Sequence, residues 1–268
     1  MRYKTWIAGH NYRWLFWAFG VIATLLGVLM YWMTLDRAPE QSWTSYPISR
    51  ANVDSLEDFS RLLTTDADLT LTVVGDSTGN GKNEWVHIVA QRIAHSNRHV
   101  VVNDWNVDKQ GYTEFTEYGN SASPKLTIWN GSVPGLASRF GYENWSKLNP
   151  GTPDLVIVNH GHNEPDSESA IDGISRIVRL SHLDVTRRTA VAIILQNPRV
   201  DRESGRLESI ITALRDAPDL RDVEKIDIHS TFVQEGNYAD LLVADGFHPN
   251  QAGENIWAQA VCTRLQVA

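Results

Sequence analysis

Six short apolar runs punctuate the chain beyond residue 68, and the stretches between them change to helical spacing. The runs are 69–75 (LTLTVVG), 99–102, 125–129 (KLTIW), 154–159 (DLVIVN), 189–195 (TAVAIIL) and 226–228. Between them apolar residues recur at helical intervals: Trp85, Ile88, Val89 and Ile93; Ile171, Ile174, Ile177 and Val178; Leu207, Ile210, Ile211 and Leu214. A last helix is predicted from about Gln251 to Leu265. Strands that are apolar throughout, alternating with helices, describe a parallel sheet covered on both faces. The predicted fold is therefore α/β, a three-layer α/β/α domain. Ligands of such sheets bind beyond the carboxyl ends of the strands, so chemistry is to be sought in the loop after each run.

The amino-terminal part obeys different rules. From Trp14 to Leu35 the chain carries no charge, and 22 helical residues span roughly 33 Å at about 1.5 Å each, enough to cross a bilayer core. Trp14 and Trp17 flank one end, Tyr31 and Trp32 the other, as interfacial aromatic belts do. Arg2, Lys4 and Arg13 precede the stretch, whereas Asp36, Arg37 and Glu40 follow it, which places the amino terminus in the cytoplasm by the positive-inside rule. The division predicted is a cytoplasmic tail (1–13), a transmembrane anchor (14–35), a polar linker (36–48) and an extracytoplasmic domain (49–268). The alternative, a cleaved signal peptide, lacks a clean A-x-A site. A single cysteine, Cys262, allows no internal disulfide, so the domain must be held by its core. A net charge of −8 with no concentrated basic face argues against nucleic acid as a partner.

Four loops carry residues suited to chemistry. The first run ends in Val74-Gly75-Asp76-Ser77-Thr78-Gly79, a small-residue turn that exposes Ser77 ahead of a helix predicted from about Asn83, whose free N–H groups suit a developing oxyanion. Read as a phosphate loop, GDSTGNGK fails: five residues separate Gly75 from Gly81 instead of four, and Asn83 stands where a Ser or Thr would hold Mg²⁺. The third run leads into Asn130-Gly131-Ser132, where a glycine lets the backbone approach a ligand. The fourth leads into His160-Gly161-His162-Asn163-Glu164, where the Asn163 amide is a donor suited to an oxyanion. His160 and His162 also raise a metal-dependent reading, although no closed ligand set of recognised spacing accompanies them. Near the carboxyl terminus, Asp245-Gly246-Phe247-His248 sets a carboxylate three residues from an imidazole that it can orient.

Taken in order, these blocks resemble the SGNH (GDSL-type) serine hydrolases and esterases. Gly75-Asp76-Ser77-Thr78 is similar to the first family block, Gly131 to the glycine of the second, Gly161-His162-Asn163-Glu164 to the third and Asp245-Gly246-Phe247-His248 to the fifth. The resemblance covers roughly residues 69–265. Thr78 stands for the usual Leu, and Glu164 for the usual Asp. It implies a flavodoxin-like sheet of five main parallel strands, Ser77, His248 and Asp245 as catalytic residues, and Ser77, Gly131 and Asn163 around the oxyanion. It implies no cofactor and no metal. Residues 99–124 look like an excursion, in which Tyr112, Phe115 and Tyr118 either line a substrate surface or pack the loop down.

The expected activity is hydrolysis of acetyl or short-acyl carboxylic esters through a Ser-His-Asp mechanism, with an ester of envelope glycan or lipid as partner. Transfer of an acyl group between envelope glycans uses the same residues and stays open, as does a catalytically silent binding module tethered to the membrane.

Overall fold

Strand β1 (Leu69–Gly75) lies at the middle of a seven-stranded sheet, between β4 (Lys125–Ser132) and β5 (Leu155–Asn159). The computed structural model describes residues 53–183 and 187–267. The tail, the apolar stretch 14–35 and the linker lie outside the described residues, and no described helix is long and apolar enough to cross a membrane. The remaining strands are β2 (His99–Asn106), β3 (Gly111–Tyr118), β6 (Ala190–Leu195) and β7 (Glu224–Asp227). The order is β3-β2-β4-β1-β5-β6-β7, parallel throughout except for β3, which runs antiparallel to β2.

The twofold alternation of strand side chains divides the apolar residues between two cores. Leu71 and Val73, with Leu155, Ile157, Ala192 and Ile194, face helices α1 (Leu56–Leu63), α2 (Trp85–His95), α7 (Ile228–Gln234) and α8 (Gln251–Arg264). Val74, Val156, Val158, Ile193 and Leu195 face the other side, which is covered by α3 (Ser138–Glu143), α4 (Trp145–Leu148), α5 (Ser167–Ser181) and α6 (Ser204–Asp216). This is the three-layer α/β/α arrangement read from the sequence, with six parallel strands. Each central strand is buried on both faces, which is why it reads as a continuous apolar run rather than an alternating one.

Two segments depart from the expectation. The excursion of residues 99–124 is built around a β-hairpin, which the sequence does not announce. β2 continues to Asn106 and turns back into β3, an edge strand whose exposed Glu114 and Glu117 discourage pairing with another chain. The third run extends through Asn130-Gly131-Ser132, which looks like a turn in isolation but belongs to β4, in register with Val73, Val74 and Gly75. The chain crosses from β4 over β1 to β5, so the topological switch falls beside β1, and the crevice there opens at the carboxyl end of β1.

Candidate active site

Asp76 and Ser77 follow directly on β1. Asp76 is fully buried and folds the turn around its own carboxylate: Oδ1 accepts from the Thr78 N–H at 3.0 Å and from the Thr78 hydroxyl at 2.8 Å. This local side-chain-to-backbone closure leaves Ser77 partly exposed at the apex. Helix α2 begins only at Trp85, later than expected. Its first N–H is occupied, donating to Glu254 Oε2 at 2.7 Å, so the start of this helix is not the free anion site the sequence suggested.

Opposite Ser77, the loop before α8 presents His248. Its Nε2 stands 2.8 Å from Ser77 Oγ, and its Nδ1 stands 2.7 Å from Asp245 Oδ2. Asp245 Oδ1 accepts the backbone N–H groups of Phe247 and His248, both at 3.0 Å. Partial burial pushes the Asp245 carboxyl upward, but these N–H groups and the imidazole outweigh it and hold the group below the ordinary carboxylate range. The loop is braced from β6: the Asn197 amide donates to Phe247 O at 2.9 Å, and the Arg199 guanidinium lies 4.8 Å over the Phe247 ring.

Asn163 sits in the loop after β5, with Nδ2 donating to Asp76 Oδ2 at 3.3 Å. The same carboxylate receives Gln196 Nε2 at 3.1 and 3.2 Å, while Gln196 Oε1 accepts the His162 N–H at 2.6 Å. One buried side chain, Asp76, thus ties together the loops after β1, β5 and β6. Gln196, Asn197 and Arg199 were not singled out in the sequence, although they follow directly on the fifth apolar run, where loop chemistry is expected.

Gly131 is not in the loop after the third run. It is buried in β4, where an added Cβ would meet Leu148 Cδ2 and Val73 O at 3.0 Å, so its absence makes room for α4. The glycine exposed after β4 is Gly135, with φ +73° and open space around its missing Cβ. Its loop is fastened by the Glu164 carboxylate, which accepts the Ser138 N–H at 2.6 Å. The third-block glutamate therefore joins two site loops rather than facing solvent.

His160 and His162 are both buried, and burial lowers the pKa of each, so they are neutral near pH 7. His162 Nε2 is 2.9 Å from Asn197 O. Among the described residues no three His, Cys, Asp or Glu side chains are grouped to hold a metal ion.

The fold matches solved hydrolases of low sequence identity. A lipase/acylhydrolase from Enterococcus faecalis shares 14% identity, with a TM-score of 0.55 over 75% of this chain and 97% of that one. A carbohydrate esterase family 3 protein from Talaromyces cellulolyticus shares 18%, with a TM-score of 0.54 over 74% and 96%. A two-domain esterase active on acetylated mannans, crystallised with mannopentaose, shares 15%, with a TM-score of 0.57 over 83% of this chain and 57% of that one. No curated protein matches the sequence significantly. The GDSL-like lipase/acylhydrolase family model matches residues 73–256. That span takes in Ser77, Asn163, Asp245 and His248 and well over half of the chain, which therefore belongs to this family and is a hydrolase of carboxylic esters.

Proposed function

We propose that the chain is a membrane-anchored esterase that cleaves acetyl or short-acyl esters through Ser77, His248 and Asp245. The observation that carries this reading is the hydrogen-bonded series Ser77 Oγ, His248 and Asp245, with contacts of 2.8 and 2.7 Å. His248 Nε2 takes the Ser77 proton as Oγ attacks the ester carbonyl. The tetrahedral intermediate then expels the alcohol, which receives that proton, and water releases the acid from the acyl-enzyme by the reverse use of His248. Asp245 fixes the tautomer that leaves Nε2 free to accept.

For the oxyanion we assign the Ser77 N–H, the Asn163 amide and the backbone N–H of Gly135, in place of Gly131. Asn163 spends one amide hydrogen on Asp76 and keeps the other for a ligand. The uncharged run 14–35 supports the anchor, and the basic residues before it support an extracytoplasmic domain, where an acylated envelope glycan is the substrate class we assign.

The test uses the full-length chain in detergent, assayed on p-nitrophenyl acetate, butyrate and octanoate beside Ser77→Ala and His248→Ala. Turnover that is lost in both variants, survives chelator and is accompanied by fluorophosphonate labelling of Ser77 is expected. A folded wild type that neither turns over nor labels would overturn the assignment.

A further inference from the structure

The turn that carries Ser77 runs on through Asn80 and Lys82, and these residues form one wall of a 160 Å³ cavity. The β2–β3 hairpin forms the other wall, with Asp104 and Trp105 from β2, and Glu114 and Phe115 from β3. Asn80 lies three residues from Ser77, a reach of at most about 11 Å along the chain.

Asp104 differs from a freely solvated surface acid. Both of its oxygens lie 3.1 Å from Nε2 of His87, a fully buried ring whose Nδ1 is 2.8 Å from the Tyr118 hydroxyl. Asn130 Nδ2 donates to Asp104 Oδ1 at 3.0 Å and to Gly79 O at 2.9 Å, so one amide couples this carboxylate to the Ser77 turn. A carboxylate offers about four lone-pair sites, and these partners leave some unused. The side chain stays 23% exposed, and it lines the cavity. Phe115 stands at the rim, 63% exposed.

An exposed ring alone is ordinary. A ring beside a carboxylate held from behind is more selective, because the two suit different faces of one ligand. A sugar ring has an apolar C–H face to lie on an aromatic and hydroxyls to donate to a carboxylate. An acyl chain would strip water from Asp104 without replacing it, which is unfavourable. The cavity is smaller than the roughly 300–1,000 Å³ of drug-sized sites, and so suits one sugar unit. Asp104 and Glu114 outweigh Lys82 in charge, which disfavours an acidic sugar.

We propose that this cavity is a subsite for one neutral sugar unit of the alcohol part of the ester, with Asp104 accepting its hydroxyls and Phe115 covering its apolar face. The inference deepens the esterase reading and rests on it for the placing of the ester bond at Ser77.

Its test has a binding arm and a turnover arm. Full-length Ser77→Ala is titrated calorimetrically with unacetylated mannopentaose and xylopentaose. Saturable binding of at least one is expected, weakened about tenfold or more when Phe115→Ala is added. In the turnover arm, the ratio of kcat/KM for the acetylated oligosaccharides to kcat/KM for p-nitrophenyl acetate falls to a similar extent in Phe115→Ala and Asp104→Asn, chiefly through KM. Phe115 is exposed, so its variant folds even if Asp104→Asn does not. Failure of both sugars to bind overturns the subsite, as does a ratio that neither substitution moves. A Phe115→Ala change that alters preference for octanoate over acetate also overturns it, in favour of an acyl pocket. Sugar binding by a wild type inert to every ester would overturn the esterase reading and leave the sugar site standing.

Discussion

Nε2 of His248 stands 2.8 Å from Oγ of Ser77, across 171 residues of chain. The contact is held from both sides. Asp76 folds the turn below the serine, while Asn197 and Arg199 brace the loop above it through Phe247. The carboxylate behind the imidazole is open to water: the Asp245 side chain is 39% exposed. Water screens its charge, so in the proposed mechanism its main service is orientation rather than stabilisation of the imidazolium. Asp245→Ala should therefore cost about 10²-fold in kcat, less than the roughly 10⁴-fold that follows from spoiling a buried triad carboxylate. Steady-state kinetics on p-nitrophenyl acetate beside Ser77→Ala measures this. A loss equal to that of Ser77→Ala would refute the orienting role.

The depressed pKa of Asp245 sets a second expectation. Its folded value lies below the unfolded one, so the stability it contributes is present above the ordinary carboxylate range and disappears as pH falls through the folded value. Activity should not fall on the acid side through protonation of Asp245 until below that range. Wild type should accordingly lose stability relative to Asp245→Ala as pH falls through and below the ordinary carboxylate range, which urea denaturation of the two proteins across that range reads. A difference that stays constant with pH would show that the carboxyl binds its proton equally well folded and unfolded.

The strands were legible because β1, β5 and β6 are buried on both faces and read as unbroken apolar runs, and Ser77, Asn163, Asp245 and His248 were legible because each sits in a loop after or near such an element. The end of β4 was not. Asn130-Gly131-Ser132 has turn composition, yet Asn130 is needed to bridge Gly79 and Asp104, and Gly131 to admit Leu148. Tertiary demand overrode local preference there. Gln196 was also invisible, since its partner Asp76 is 120 residues away and a glutamine after a strand has no signature of its own. The same holds for Arg98, buried and donating to the carbonyls of Leu62, Leu63, Thr65 and Ala67 around the end of α1. In sequence it looks like a solvated cation beside a turn.

The Asp76 carboxylate makes the Asn163 amide depend on Gln196. Asn163→Ala removes a donor outright, and about 10²–10³-fold in kcat should be lost. Gln196→Met keeps the volume but leaves Asp76 and the His162 N–H each short of a partner, so kcat should fall with KM little changed, together with about 1–3 kcal/mol of stability. Urea denaturation and initial rates on the same samples separate the two effects. Full kcat in Gln196→Met would mean that Asn163 holds its position without this support.

Gly131 and Gly135 should respond oppositely to alanine. At Gly131 the methyl group meets Leu148 and Val73 at 3.0 Å, and overpacking should cost about 1–3 kcal/mol, with turnover per folded molecule largely kept. At Gly135 there is room for the methyl group, but the backbone is at φ +73°, where alanine is strained by roughly 1 kcal/mol or more. The exposed turn can relax, which would re-aim its N–H, so Gly135→Ala should lose kcat while melting within a few degrees of wild type. The reverse pattern would return the oxyanion role to Gly131.

Glu254 supplies the last expectation, through a carboxyl group buried at the start of α2. It accepts the Trp85 N–H at 2.7 Å and is 4% exposed. Burial first, and then the negative Glu84 beside it, push its pKa to about 9 against the pull of that N–H. In the unfolded chain the group has an ordinary value near 4.5. Between the two values the folded protein keeps a proton that the unfolded chain has released. The contribution to stability is thus full below the lower value and is lost as pH rises toward the upper one. Glu254→Gln keeps an acceptor for Trp85 and removes the ionisation. Its stability relative to wild type should therefore increase with pH, by about 1–3 kcal/mol between roughly pH 5 and pH 8. Thermal melts of the two proteins across that range read the difference directly. A gap that stays constant with pH would mean that Glu254 is ionised in the folded state, held by the N–H groups at the start of α2.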